Sequence, residues 1–272
     1  MFKKLILVSL LCSLSFADLL DDKIENLLGK NSYAVNKNLI NILFKKRSYY
    51  YKNSNTLNIV KIVSKLKRNG LLHLGLANPS TIDVEFITSS KPLKSMKLIN
   101  DTFKDLGFYH FYTSKINYDI ENGLIWDIRL KTQSIIDPVM LTKALQEINC
   151  KVEDISINDE NVWQYSINMD NAHIKNTIEV LNTEELNLTK PMKPYYLSVQ
   201  DAKNLIVHSK PGDHWYANIV FYNSNLDVLE ILKNDKITKD LKVDIPKLTK
   251  YIKITDLYHL NNIKRGLNIL VN

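Results

Sequence analysis

Apolar positions recur with two different periods along this chain, and the change of period divides it. From Asp18 to Ala77 the spacing is helical. Leu39, Ile40, Leu43 and Phe44 make one stripe, and Ile59, Val60, Val63 and Leu66 make another that Asn69-Gly70 is placed to end. Between them, Tyr49-Tyr50-Tyr51 fits either a short strand or an aromatic packing cluster.

From Thr81 the period becomes two, with Ile82, Val84 and Phe86 facing one way and Asp83, Glu85 and Ile87 the other, which is a half-buried strand. Ser90 and Pro92 open a helix with Leu93, Met96, Ile99, Phe103 and Leu106 on one face and Gly107 at its end. A strand is expected over Phe108–Lys115. Asn122-Gly123 then turns the chain into Leu124, Trp126, Ile128 and Leu130, alternating with Asp127, Arg129 and Lys131. Asp137-Pro138 starts a second helix carrying Leu141, Ala144, Leu145 and Ile148, followed by strands near 152–157 and at Trp163, Tyr165, Ile167 and Met169. The order β-α-β-β-α-β plus one strand is the split βαβ order of ferredoxin-like domains.

Residues 171–193 lack a period and end in Thr189-Lys190-Pro191-Met192-Lys193-Pro194, which reads as a linker. Beyond it, short alternating runs begin at Tyr195, Asn204, His214, Leu226, Leu241, Tyr251 and Gly266, the spacing of a β-sandwich. The expected class is therefore α+β. A signal segment occupies 1–17, a basic helical domain 18–77, a ferredoxin-like domain 78–170, a linker 171–193 and a β-sandwich 194–272.

The first 17 residues have the three parts of an export signal: Lys3 and Lys4, an apolar run from Leu5 to Leu14, then Ser15-Phe16-Ala17. Cleavage is expected between Ala17 and Asp18. The apolar run is shorter than the roughly 18 residues that span a bilayer, and no later window of that length is free of charge, so the mature chain is expected to carry no transmembrane segment and to be periplasmic. Cleavage leaves one cysteine, Cys150, which without a partner reads as a small buried hydrophobe.

Charge is distributed unevenly along the 272 residues, whose formal net charge is +7. From Asn26 to Ile82 the chain has basic residues and no carboxylate, whereas residues 78–190 are acidic. Lys45, Lys46 and Arg47 flank the tyrosines. Lys61, Lys65 and Arg68 share one face of the second helix at i, i+4, i+7 spacing. These six are the candidate partner-binding residues, for an envelope protein or an anionic surface; export argues against nucleic acid.

Catalytic signatures are missing: there is no H-E-x-x-H, G-x-S-x-G, C-x-x-C or H-x-H, no Walker loop and no G-x-G, so no cofactor is expected. His208, Asp213 and His214, around a Lys210-Pro211-Gly212 turn, are the weak candidates for a metal or an unrecognised enzyme site. Trp215, Tyr216 and Tyr222 are candidates for sugar stacking. Asn187, in Glu185-Leu186-Asn187-Leu188-Thr189, satisfies N-x-[ST] with an upstream acid and resembles the extended sequon of bacterial N-glycosylation. The expectation is a non-enzymatic exported adaptor or scaffold of the cell envelope that binds protein partners. The alternatives are a peptidoglycan-binding module and an unrecognised enzyme.

Overall fold

The computed structural model describes residues 19–158, 160–181, 183 and 185–272. The expected cleavage site at Ala17 and Asp18 lies outside them. Among these residues no helix is long and apolar enough to cross a membrane. The chain is a mixed α/β protein that divides into two compact units, with the boundary between Ala172 and His173.

Unit 1 begins with helix α1 (residues 19–28) and α2 (Lys30–Leu43). The three tyrosines are divided: Arg47–Tyr50 forms a 3₁₀ turn, and Tyr51 starts β1 (Tyr51–Asn53), which pairs with β2 (Thr56–Leu57). Helix α3 (Ile59–Arg68) is capped by the Asn58 side chain, which accepts from the Lys61 amide at 3.3 Å. It buries Ile59, Ile62, Val63 and Leu66, so the stripe is rotated from the expected one, with Ile62 inside and Val60 half-buried.

The rest of unit 1 is β3 (Gly75–Thr88), α4 (Pro92–Asp105), β4 (Tyr112–Asp119), β5 (Gly123–Ser134), α5 (Pro138–Gln146), β6 (Lys151–Ile157) and β7 (Trp163–Asn168). Strand β4 lies four residues later than the expected Phe108–Lys115 run. Proline opens both α4 and α5 where its missing N–H costs nothing, and Asp137 caps α5 by accepting from the amides of Val139 and Met140.

The sheet order is β4-β5-β3-β7-β6. Strand β5 lies between β3 and β4, antiparallel to both. Between β5 and β6 lie two strands, because β7 inserts parallel to β3 and antiparallel to β6. Leu124, Trp126, Ile128 and Leu130 of β5 form one core with Val84 and Phe86 of β3, Trp163, Tyr165 and Ile167 of β7, and the buried faces of helices α1 to α5. The helical segment 18–77, expected as a separate domain, is thus part of unit 1: Leu20, Ile24, Ile40 and Phe44 need the sheet's apolar face to leave water.

The two outer edges of this sheet are treated differently. On β6, Asn26 of α1 donates to the Ile157 carbonyl (2.7 Å) and accepts from its amide (2.9 Å), as a neighbouring strand would. Lys23 pairs with Asp154 at 2.8 Å alongside. On the opposite edge, all eight residues of β4 are exposed.

Unit 2 contains two sheets. One has the order β13-β12-β15-β10-β8 and the other β14-β11-β16-β9. The strands are β8 (Ile178–Glu179), β9 (Glu185–Asn187), β10 (Tyr195–Ser198), β11 (Asn204–Ser209), β12 (Tyr216–Tyr222), β13 (Val228–Ile237), β14 (Asp240–Asp244), β15 (Tyr251–Asp256) and β16 (Leu267–Val271). Inward residues of both sheets share one core, including Leu197, Ile219 and Ile254 from the first and Leu205, Val207 and Ile269 from the second. The segment expected as a linker supplies β8, parallel to β10, and β9, antiparallel to β16. Its backbone is recruited because Val180 and Leu188 are buried in the unit 2 core.

Candidate functional site

Alternation puts the polar residues of the unit 1 strands on the face opposite the helices. There the register assembles an unbroken polar row across all five strands: Lys115 of β4 opposite Asp127 of β5, then Glu85 of β3, Gln164 of β7 and Ser156 of β6. One step along the sheet, Arg129 stands between Tyr112 and Asp83.

Hydrogen bonding in this patch is uneven. Arg129 grips Asp83 with both ends of its fork, Nε to Oδ1 at 2.6 Å and Nη2 to Oδ2 at 2.8 Å. Asp83 and Tyr112 together hold the guanidinium firmly charged. Gln164 donates to Glu85 at 2.5 Å. Among the described residues Asp127 Oδ1 is screened from solvent and accepts no hydrogen bond, while the carboxyl meets that of Glu85 directly across the strands. Burial first, and the Glu85 carboxylate second, raise the proton affinity of Asp127, with Lys115 opposing them. Like charges facing one another across a sheet destabilise it. The pair can hold one proton between two carboxyls or accept an incoming cation.

Asp83, Glu85, Lys115, Asp127 and Arg129 line an open concavity of about 550 Å³, to which the β6–β7 connection adds Asn158, Glu160 and Val162. The sequence shows Asp127 and Arg129 as the outward residues of a strand. Nothing in it signals that Glu85, forty-two positions earlier, stands opposite Asp127, because that depends on strand register.

The sites expected from sequence are placed as follows. His208 Nδ1 lies 2.6 Å from Asp240, whereas Asp213 is buried and receives the Arg265 amide and guanidinium at 2.9 Å each. His214 is exposed, with its backbone amide donating to the Asn262 carbonyl. The metal candidate formed by these three is therefore not assembled: the carboxylate that would join the imidazoles is turned to Arg265. Among the described residues no group of three or more His, Cys, Asp or Glu is arranged to hold a metal ion.

Trp215 is 0% exposed and its indole donates to the Thr255 carbonyl at 2.9 Å, so it anchors the unit 2 core and offers no face to a sugar. Tyr216 packs edge-on against Tyr258, and Tyr222 packs beside Ile174, Leu226 and Tyr251. Asn187 is exposed but lies on β9 opposite Asn268, with its side-chain oxygen accepting from Lys210, so it is in a paired strand rather than a loose linker.

The basic candidates divide. Arg47 pairs with Asp21 at 2.9 Å, and Lys61 sits 3.9 Å above the Tyr49 ring. Arg68 donates to the Ser64 carbonyl of its own helix, Lys65 is half-buried, and Lys45 and Lys46 are exposed. No family model, curated protein or solved structure matches this chain.

Proposed function

We propose that this protein is a non-enzymatic, exported adaptor of the bacterial cell envelope, and that it grips a cationic group of a partner protein in the concavity of the unit 1 sheet. In this reading unit 1 is a five-stranded variant of the ferredoxin-like split βαβ, unit 2 is a β-sandwich, and the apolar N-terminal run is the export signal. The observation that carries the proposal is Asp127: a screened carboxyl oxygen without a hydrogen-bond donor among the described residues, set against Glu85 in the lining of an open concavity. A lysine or arginine side chain placed there would supply the missing donor and cancel the repulsion. A cation bound there would favour the ionised form of Asp127, whose proton affinity burial and Glu85 raise.

The test is crosslinking in intact cells followed by mass spectrometry of captured partners, comparing wild type with Asp127→Asn and Glu85→Gln. Both variants should fold, since each preserves shape. Both should lose at least about tenfold in capture, the effect of removing one charge-assisted contact. Capture by the wild type should also weaken as pH falls through the Asp127 titration. Equal recovery of the same partners by all three proteins would remove the concavity from the proposal.

A second surface is supported by Lys45 and Lys46, which stay exposed beside Tyr49, itself 59% exposed. Docking of this basic edge on an anionic surface would fall with rising salt. Changing Lys45 and Lys46 to Glu together should weaken it at low ionic strength.

A further inference from the structure

Open edge strands are rare in folded proteins because their unpaired amides and carbonyls recruit other chains, and α1 blocks the β6 edge of this sheet with Asn26 and Lys23. Among the described residues the β4 edge has no such cover. On the helix-covered side, Ile116 and Tyr118 are 49% and 41% exposed although they stand opposite the buried Trp126 and Leu124. A bulge at Ser114 breaks the register, which leaves Lys115–Asp119 as the regular stretch.

That stretch is complementary to itself. In an antiparallel pair related by a two-fold axis perpendicular to the sheet, facing residues must lie on the same side of the sheet, so the axis has to pass through a residue. With the axis at Asn117, Lys115 faces Asp119 of the second copy, Ile116 faces Tyr118, and Asn117 faces Asn117. Both charged pairs are then opposite in sign, and each lysine sits between Asp127 of its own β5 and Asp119 of the other copy. On the other side, the rows Trp126-Ile116 and Tyr118-Leu124 join across the axis and extend the apolar core. Moving the axis to residue 116 leaves Lys115 facing Asn117. At 118 the partners of Lys115 and Ile116 fall in the turn beyond the strand. The long edge strand of unit 2 lacks this property: on β13, an axis at 231 or 232 sets Leu229 opposite a charged residue, and one at 233 sets Lys233 against itself.

We infer that the occupant of the β4 edge is a second copy of this chain, paired antiparallel about Asn117 to make one ten-stranded sheet. This inference does not rest on the adaptor reading: it needs only the β4 edge, although Lys115 also lines the concavity, and Ile116→Lys tests it on the opposite face of the strand. Five residues a side bury less than the ~1,200 Å² of standard interfaces, so the association is weak, with a dissociation constant on the order of 0.1 mM.

The experiment is sedimentation equilibrium over a wide concentration range, using the chain as it accumulates in cells. Wild type should show a reversible monomer–dimer equilibrium. Lys115→Asp puts two aspartates opposite two aspartates and should weaken dimerisation about tenfold or more, as two reversed cross-strand pairs require. The double variant Lys115→Asp with Asp119→Lys restores opposite charges across the axis and should recover dimerisation. Should Asp119→Lys disturb the turn, as circular dichroism would show, Ile116→Lys provides the second test: it charges both apolar pairs and should abolish association. A monomer at every concentration would overturn the inference. So would Lys115→Asp or Ile116→Lys dimerising as well as wild type, or a folded double variant that fails to recover.

Discussion

Asp127 keeps its proton to a higher pH in the folded chain than in the unfolded one, because burial and Glu85 both penalise its charge. The unfolded carboxyl titrates near the ordinary 3.8. Below that value both states are protonated and the residue costs nothing. As pH rises through the raised folded value the folded state loses stability, because it must give up a proton it holds more tightly. Asp127→Asn removes that cost. It should raise the melting temperature of unit 1 by ~1–4 °C at neutral pH, with the gain shrinking as pH approaches 3.8. Thermal denaturation at several pH values measures this, and a gain independent of pH would mean that ionisation of Asp127 is not its source. Cys150 gives a second prediction at this scale. Burial pushes its thiol up to about 12 from 9.0, with Lys94 opposing, so thiolate is roughly a thousandfold scarcer than in an unfolded chain. Iodoacetamide should label the native protein far more slowly than the protein in denaturant.

At the scale of elements, the β4–β5 hairpin depends on Gly123. Its φ of +79° is unfavourable for other residues, and a Cβ there would lie 2.0 Å from the Thr88 carbonyl oxygen on β3. Gly123→Ala should therefore cost about 3 kcal/mol or more, read as a shift in denaturant midpoint, because both strain and backbone collision act at once. In unit 2 the comparable element is β12 with its leading Trp215. Trp215→Ala should cost ~3–5 kcal/mol, whereas an exposed stacking residue would cost little, so urea unfolding of the variant distinguishes a core anchor from a ligand platform. The hairpin was legible in Asn122-Gly123 and in the alternation that follows it. For Trp215 core packing is the default reading and sugar stacking the alternative, since alternation says that neighbouring side chains point opposite ways without saying which way is inward.

At the scale of the whole chain, the segment after Met169 behaves differently in its two parts. Residues 170–177 connect the two units, whereas 178–187 contribute β8 and β9 to sheets. Limited proteolysis should cut near Lys175 and spare Glu185–Asn187, releasing fragments close to 173–272. Cutting within β9 before the connection would contradict the paired strands. Strands of two and three residues are too short to display a period, which is why this region reads from sequence as a linker.

What the sequence determined by itself is local: the two helices opened by Pro92 and Asp137-Pro138, the period-two strands of both units, the Asn122-Gly123 turn and the uneven charge. Each follows from backbone preferences and side-chain spacing within about a dozen residues, so the information lies in the segment concerned. Strand order, register and the joining of the helical segment to the sheet were decided only by the tertiary structure. Strand β7 sits between β3 and β6 because of where Trp163, Tyr165 and Ile167 find the common core. The row from Lys115 to Ser156 exists because five separate strands are held in one register. Such arrangements minimise exposed apolar area and unpaired backbone groups over the whole unit, a condition that no single segment can encode.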